Sequence, residues 1–394
     1  MPVPLLDVNA QNLPLEVELK AAFERVLRSG QFILGPELNA FENEIANLSG
    51  VRHAIGVSSG TDAILLALMA LDIKAGDEVL CPTYTFFATA GCVARVGATP
   101  VYVDSCPICF NLDVSDAARK LTPRTKAIIP VHLFGQCAAM DPVMTFAQKN
   151  HLFVIEDAAQ ALGAGYKGRR AGSMGTLGTF SFFPSKNLGG FGDSGAVVTN
   201  DDSVAEQTHL LRVHGAKPKY YHQFVGGNFR MDPMQAALLR VKMPHYATYT
   251  RKRQNNAAFY TEKLAKVSGA FLPEDCECGK GSSLEIPSGA RLILPIAHHG
   301  NEHIWNQYTL RVVGQGKRDA LKEFLSERGI GSEIYYPVPM HRQPCFRYLD
   351  HENDSLPNAM RLAEEALSIP IYPELASTQL EDVTTAISAF LRNN

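Results

Sequence analysis

Charge of one sign is missing from this chain: 37 Lys and Arg stand against 40 Asp and Glu, a formal net charge of −3. Without a basic excess there is no electrostatic footprint for nucleic acid or for an anionic membrane surface. Cysteine is sparse, eight in 394 residues. That is well below the density of small secreted domains stapled by disulfides, and it points to the cytoplasm. Long apolar runs are missing too, and none approaches the roughly 20 residues a membrane-spanning helix needs. The first residues, MPVPLLDVNAQNLPLE, have no basic start followed by an apolar stretch, so no signal peptide is expected. Internal repeats and low-complexity tracts are absent. What remains is an ordinary globular composition, 46% apolar and 20% charged, able to form a core.

The apolar pattern is informative from the start. Leu15 to Ser29 has helical spacing with Gly30 as its stop, and a second helix is expected over Pro36 to Leu48. From about residue 50 to 200, short apolar runs alternate with helical stretches: HAIGVSS, EVLCP, TPVYVD, TKAIIPVHL, LFVIEDAA, TFSFFPS and GAVVTN carry the runs. Such alternation implies an α/β unit with a mainly parallel sheet covered by helices. One long helical stretch is expected over Asp232 to Val267, leading into a smaller α/β C-terminal domain. Its strand candidates are YTLRVVG and SEIYYP, and its helices lie near 316–328, 357–367 and 378–391. The division expected is 1–240 for an N-terminal arm and large domain, and 241–394 for the linking helix and smaller domain.

Three constellations fall at the carboxyl ends of expected strands, where ligands gather in open α/β sheets. Gly56-Val-Ser-Ser-Gly60-Thr61-Asp62 joins a strand to a helix, and a helix start offers free N–H groups to a phosphate. Val154-Ile-Glu156-Asp157-Ala-Ala-Gln160 ends an apolar strand in two carboxylates, and Glu156 reads as structural. Ser181-Phe-Phe-Pro-Ser185-Lys186 puts a lysine after a strand and before Gly189 and Gly190. Singly, each has an ordinary explanation: a capped turn, a loop acid, a solvated lysine. In combination, a phosphate turn, an acid and a lysine suit pyridoxal 5′-phosphate. The lysine amine bonds to the cofactor aldehyde, and the acid faces the pyridine nitrogen.

With those segments in view, the sequence resembles the DegT-type sugar aminotransferases, fold type I pyridoxal-phosphate enzymes. The resemblance runs from GQFILGPELNAFENEIA through SSGTDAI, PTYTFFATA, IEDAAQALGA, SFFPSKNLGG and GGNFRMDPMQAALL to YYPVPMH. It implies a large domain with a seven-stranded sheet and a smaller α/β domain. By resemblance Lys186 is the Schiff-base lysine, Asp157 the acid on the ring nitrogen and Gln160 the partner of the ring hydroxyl. Gly60, Thr61 and Ser181 match phosphate contacts, and Phe86 matches the aromatic stacked on the ring. Asn228 matches a residue that reaches the neighbouring subunit's phosphate, implying a homodimer with shared active sites. Arg230, Tyr308, Tyr336 and His341 are candidate sugar contacts. The implied partners are L-glutamate and a nucleotide-linked keto-sugar. Departures are small: Ser59 stands where Asn is common, and Gly192-Asp193-Ser194-Gly195 stands where GDGG is common.

Asp232 after Arg230-Met231 resembles members acting on 3-keto sugars, whereas many 4-keto enzymes carry Thr there. A UDP-linked 2-acetamido-3-keto hexose or its uronate is expected, or a dTDP-3-keto-6-deoxyhexose. A 4-keto substrate and a non-catalytic, cofactor-holding regulator are the alternatives. Relatives that act as dehydratases typically replace the lysine with His, and Lys186 argues against that. Two motifs are set aside. Gly163-Ala-Gly165-Tyr-Lys-Gly168 has the dinucleotide spacing but no helix after it. Cys106 and Cys109 with Cys276 and Cys278 have no usual zinc spacing, and no metal is expected. The 276–296 stretch reads as a loop-like insertion.

Overall fold

A computed structural model describes residues 2–275 and 286–393. Seven strands form the main sheet: β1 His53–Val57, β2 Glu78–Pro82, β3 Thr99–Val103, β4 Thr125–Ile128, β5 Phe153–Asp157, β6 Leu177–Ser181 and β7 Gly195–Thr199. Their order is β1-β7-β6-β5-β4-β2-β3. All neighbours run parallel except β7, which is antiparallel to both β1 and β6. Strands buried on both faces need no alternation of polar residues, which is why EVLCP and GAVVT are buried throughout. The helix Gly60–Ala70 packs over one face, and Pro36–Ser49 over the other. That first helix keeps Ala63 to Leu68 buried without a break, being enclosed by the sheet and by further helices. Gly30 and Gly50 end their helices in the left-handed region, at φ 65° and 66°.

The expected single helix over 232–267 is interrupted. Pro233–Lys242 and Tyr246–Leu264 are separated by a tight turn at Met243–His245, because Pro244 has no N–H to continue the ladder. Position 240, the expected division, lies inside the first of these helices. A second sheet has the order Ala270–Phe271, Leu292–Ile293, Tyr308–Val312, Ala366–Ile369. Its core includes Val3 from the N-terminal arm, which pairs with Ile330. SEIYYP is not a strand: only Glu333 pairs, with Ser368. The reason is local. The Tyr84 hydroxyl donates to the Tyr335 carbonyl and accepts the Tyr336 N–H at 3.1 Å, so ladder partners are replaced by a side chain. Gly165–Tyr166 and Arg169–Arg170 pair as a hairpin, and the glycine motif there opens no helix. Cys106 and Cys109 are buried beside Ile108, while Cys276 and Cys278 lie outside the described residues. No helix of the described residues is long and apolar enough to cross a membrane.

Candidate active site

The carboxyl ends of β1, β5 and β6 open into one cleft of about 430 Å³. Gly60, Thr61, Phe86, Asp157, Gln160, Ser181, Lys186 and Tyr336 all line it. Residues remote in sequence therefore converge because β5 and β6 are neighbours in the sheet and β1 lies just beyond the antiparallel β7.

One end of the cleft is a helix start. The Ser59 hydroxyl caps Gly60–Ala70 by accepting the Asp62 N–H at 3.0 Å, and Ser58 donates to the Asp62 carboxylate at 2.6 Å. This leaves the first amides of the helix facing the cleft, together with the positive end of its dipole. Gly60 is required by close approach. A Cβ there would lie 2.6 Å from the Ser181 Cβ.

Asp157 is 4% exposed. Its carboxylate accepts the Thr89 hydroxyl at 2.8 Å and the Ala159 N–H at 3.2 Å. Burial raises its pKa, while those two donors, Lys186 and His132 pull it down. A buried carboxylate turned to a cleft is completed by a cation. Lys186 lines the same cleft, and burial lowers its pKa to about 8, opposed by the charge of Asp157. Its amine is thus poised near neutrality.

The Gln160 carbonyl oxygen accepts the Phe134 N–H at 2.6 Å, and its amide nitrogen donates to the Tyr336 hydroxyl at 3.2 Å. Tyr336 is held ionisation-resistant by burial. Phe86 is half exposed at the mouth, its ring 6.1 Å from that of Tyr336.

Glu156 points to the opposite side and is fully buried. It accepts the N–H groups of Gly172, Met174 and Gly175 at 2.8, 2.6 and 2.5 Å and pairs with His132 at 2.7 Å. The Ala138 N–H donates to His132 Nδ1, so Nε2 carries the proton toward Glu156. This supports the structural reading of Glu156. Glu156→Ala would orphan three buried amides and is expected to cost about 3–5 kcal/mol, read from urea unfolding midpoints.

Four expected contacts stand elsewhere. Tyr308 is a correction: it sits in the core of the small sheet, 0% exposed, with its hydroxyl 2.8 Å from that of Thr261. Its ring stacks on Trp305 instead of facing the cleft. His341 is likewise buried away from the cleft, its Nδ1 on the Thr83 hydroxyl at 2.8 Å. Asn228 and Arg230 do not line the cleft; they pair by backbone with Val213 and Val57. Conversely, Thr89, Gln307 and Tyr335 were not anticipated. Thr89 stands in PTYTFFATA, two residues after the start of the helix Phe87–Arg95, where a hydroxyl can reach back to β5.

The chain is similar to known proteins along almost its whole length. The family model described as "DegT/DnrJ/EryC1/StrS aminotransferase family" matches residues 15–388. The "Pleiotropic regulatory protein" of Geobacillus stearothermophilus is 44% identical over 393 residues, covering 100% of both chains. The UDP-N-acetyl-3-dehydro-alpha-D-glucosamine 3-aminotransferase of Acidithiobacillus ferrooxidans is 43% identical, covering 98% of this chain and 97% of that one. Among solved structures, S. venezuelae DesV in complex with a ketimine intermediate superposes with a TM-score of 0.90 at 40% identity, covering 99% of this chain and 98% of that one.

Proposed function

This chain belongs to the DegT/DnrJ/EryC1/StrS aminotransferase family, and from that premise we propose that it moves an amino group from L-glutamate to carbon 3 of a nucleotide-linked keto-sugar. The observation that carries the reading is a single cleft holding Lys186, buried Asp157 and an open helix start at Gly60 and Thr61.

The cofactor is pyridoxal 5′-phosphate, which supplies the aldehyde that takes up an amino group and a ring that withdraws electrons from the adjoining carbon. The residues fit it. The helix start, with its free amides, would meet a dianion, and the absence of a side chain at Gly60 lets Ser181 approach it closely. Asp157 gains the cationic partner its burial calls for. Phe86 offers an apolar face to a flat ring. Gln160, with Tyr336 fixed beside it, addresses an oxygen on that ring. Lys186 would anchor the cofactor and carry a proton at the donor's α-carbon, a task suited to an amine whose pKa burial lowers to about 8.

Carbon 3 is supported by Asp232 and by the relatives. Besides the 3-aminotransferase above, a UDP-2-acetamido-2-deoxy-3-oxo-D-glucuronate aminotransferase of Pseudomonas aeruginosa is 37% identical. Arg230 would then meet a uronate carboxylate or a phosphate, and amino sugars for polysaccharide or lipopolysaccharide precursors would be the products. A cytoplasmic location accords with the cysteine content. The experiment is a panel of UDP- and dTDP-linked 3-keto and 4-keto sugars with L-glutamate, read by mass spectrometry. Amination of 3-keto members is expected; amination of 4-keto members alone rejects carbon 3.

The regulator reading is favoured by one name, that of the G. stearothermophilus relative. A passive binder would keep its cofactor spectrum unchanged in glutamate; an aminotransferase converts it.

We further propose a homodimer with shared sites. The helix Glu16–Ser29 and the loop after it expose Val17, Phe23, Leu27, Phe32 and Ile33, an apolar surface that association would cover. Asn228, remote from its own cleft, would serve the partner's phosphate. Hybrid dimers of Lys186→Ala and Asn228→Ala chains then contain one intact site. At limiting cofactor they are expected to recover close to half of wild-type activity, whereas sites confined to one chain would show no gain.

A further inference from the structure

Behind the wall of the cleft lies a second, small cavity of about 40 Å³, sharing Ser185, Gln307 and Tyr335 with the cleft. Leu5 and Leu6 of the N-terminal arm cover it, and Arg253 and Asn306 form its polar side. Arg253 is 2% exposed and Asn306 6% exposed. The Arg253 Nη1 donates to the carbonyls of Trp305, Asn306 and Ile371 at 3.2, 3.3 and 2.7 Å, but its Nε has no partner among the described residues. Asn306 Oδ1 and Gln307 Oε1 are buried and also unpartnered. All three residues line this cavity, and such groups are costly unless something satisfies them.

The orientation of Asn306 is fixed by a chain of bonds. A carbonyl can only accept, so Asn187 turns its amide nitrogen to the Ile304 carbonyl, at 3.1 Å. Its oxygen is then left to accept from Asn306 Nδ2 at 2.9 Å. Asn306 Oδ1 is therefore the free end. An occupant must accept from the Arg253 Nε–H and donate to two carbonyl oxygens. An anion would be repelled by those oxygens. Water matches the donor count, and buried waters typically make about three hydrogen bonds. The volume admits at least one.

We propose that this cavity binds one resident water, and that this water holds Gln307 Oε1 so that the amide nitrogen faces the cleft as a donor to the α-carboxylate of the amino donor. The second half rests on the aminotransferase reading above. Gln307 shares the wall with Ser185, the residue before Lys186. A donor whose α-carbon is within reach of the Lys186 amine brings its carboxylate, bonded to that same carbon, to this wall. The keto-sugar carries no carboxylate on the carbon that reacts.

Two measurements test this. In a high-resolution crystal structure of the cofactor-loaded protein, one water is expected within hydrogen-bond distance of Arg253 Nε, Asn306 Oδ1 and Gln307 Oε1. A dry cavity, or Gln307 turned with its nitrogen to Asn306, overturns the proposal. In the glutamate half-reaction, followed by cofactor absorbance, Gln307→Leu is expected to raise the glutamate concentration for half-maximal rate by roughly ten- to a hundredfold, the loss of a charge-assisted hydrogen bond. Gln307→Glu keeps the shape and the inner acceptor but opposes the carboxylate, so it is expected to be worse than Gln307→Leu. A merely structural role predicts the reverse order. The shift for glutamate is expected to exceed that for the keto-sugar at least roughly fivefold, under the same tenfold-per-1.4 kcal/mol scaling. Equal shifts, or changes within about twofold, overturn the carboxylate assignment. Failure of the wild type itself to respond to glutamate would reject the functional reading instead, and the crystal structure would still decide the water.

Discussion

Lys186→Ala is expected to abolish amino transfer, lowering kcat by at least roughly 10³-fold, since it removes both the covalent anchor and the proton carrier. The fold should persist, because a half-buried amine in a cleft is a cost of folding, not a support. Far-UV circular dichroism and the unfolding midpoint check that separation. The same lysine sets a pH dependence. Its burial lowers the pKa to about 8, and only the neutral amine attacks an aldehyde. Uptake of cofactor by the cofactor-free protein should therefore quicken by roughly tenfold per pH unit below about 8 and level off above it. A rate that is flat through this range would mean that the amine is not poised as described. Wild-type turnover by the alanine variant would remove Lys186 from the mechanism.

Asp157→Asn carries the second large effect. Opposite charges about 4 Å apart at an effective dielectric near 20 interact by roughly 4 kcal/mol. Losing that interaction lowers the ring nitrogen's pKa by about three units before desolvation is counted. The amide leaves the ring largely uncharged at neutral pH, and roughly 10³-fold is expected to be lost from kcat. Asparagine keeps the shape and a carbonyl oxygen to accept from Thr89, so the loss should appear in kcat and in the cofactor spectrum while the unfolding midpoint moves little. A loss expressed only in stability would show that Asp157 braces the fold.

The meeting of Asp157 and Lys186 in one cleft was legible because both are tied to strand ends. Asp157 and Lys186 each follow an apolar run, and in a parallel sheet such ends meet on one side. Glu156, one residue before Asp157, reads in the sequence only as a loop or capping acid; the structure places it inside β5, facing away from Asp157 because alternate residues of a strand face opposite ways. That rule also explains the error at Tyr308. The sequence marks a tyrosine at the start of a strand without showing which face is inward. The structure turns Tyr308 to the core and leaves its neighbour Gln307 at the cleft. Tyr335 escaped notice because its segment reads as a strand, and only the Tyr84 hydroxyl, remote in sequence, bends it to the site. His341 lies in a segment shared with the family, but its ring is engaged by Thr83. Motif membership places a residue near a site without fixing its direction.

The broad fold was readable for a similar reason. Apolar runs of which the first four are each followed by a helix allow few arrangements once crossovers must be right-handed. The sequence did not mark β7 as antiparallel, because a strand buried on both faces carries no sign of its direction.

The central claim is that the Lys186 amine holds pyridoxal 5′-phosphate in the cleft between β1, β5 and β6. Borohydride reduction of the cofactor-loaded protein, followed by proteolysis and mass spectrometry, tests it most directly. A phosphopyridoxyl group is expected on the peptide containing Lys186 and none in the Lys186→Ala variant. A modified lysine elsewhere, or no adduct in protein that is folded and saturated with cofactor, would contradict it.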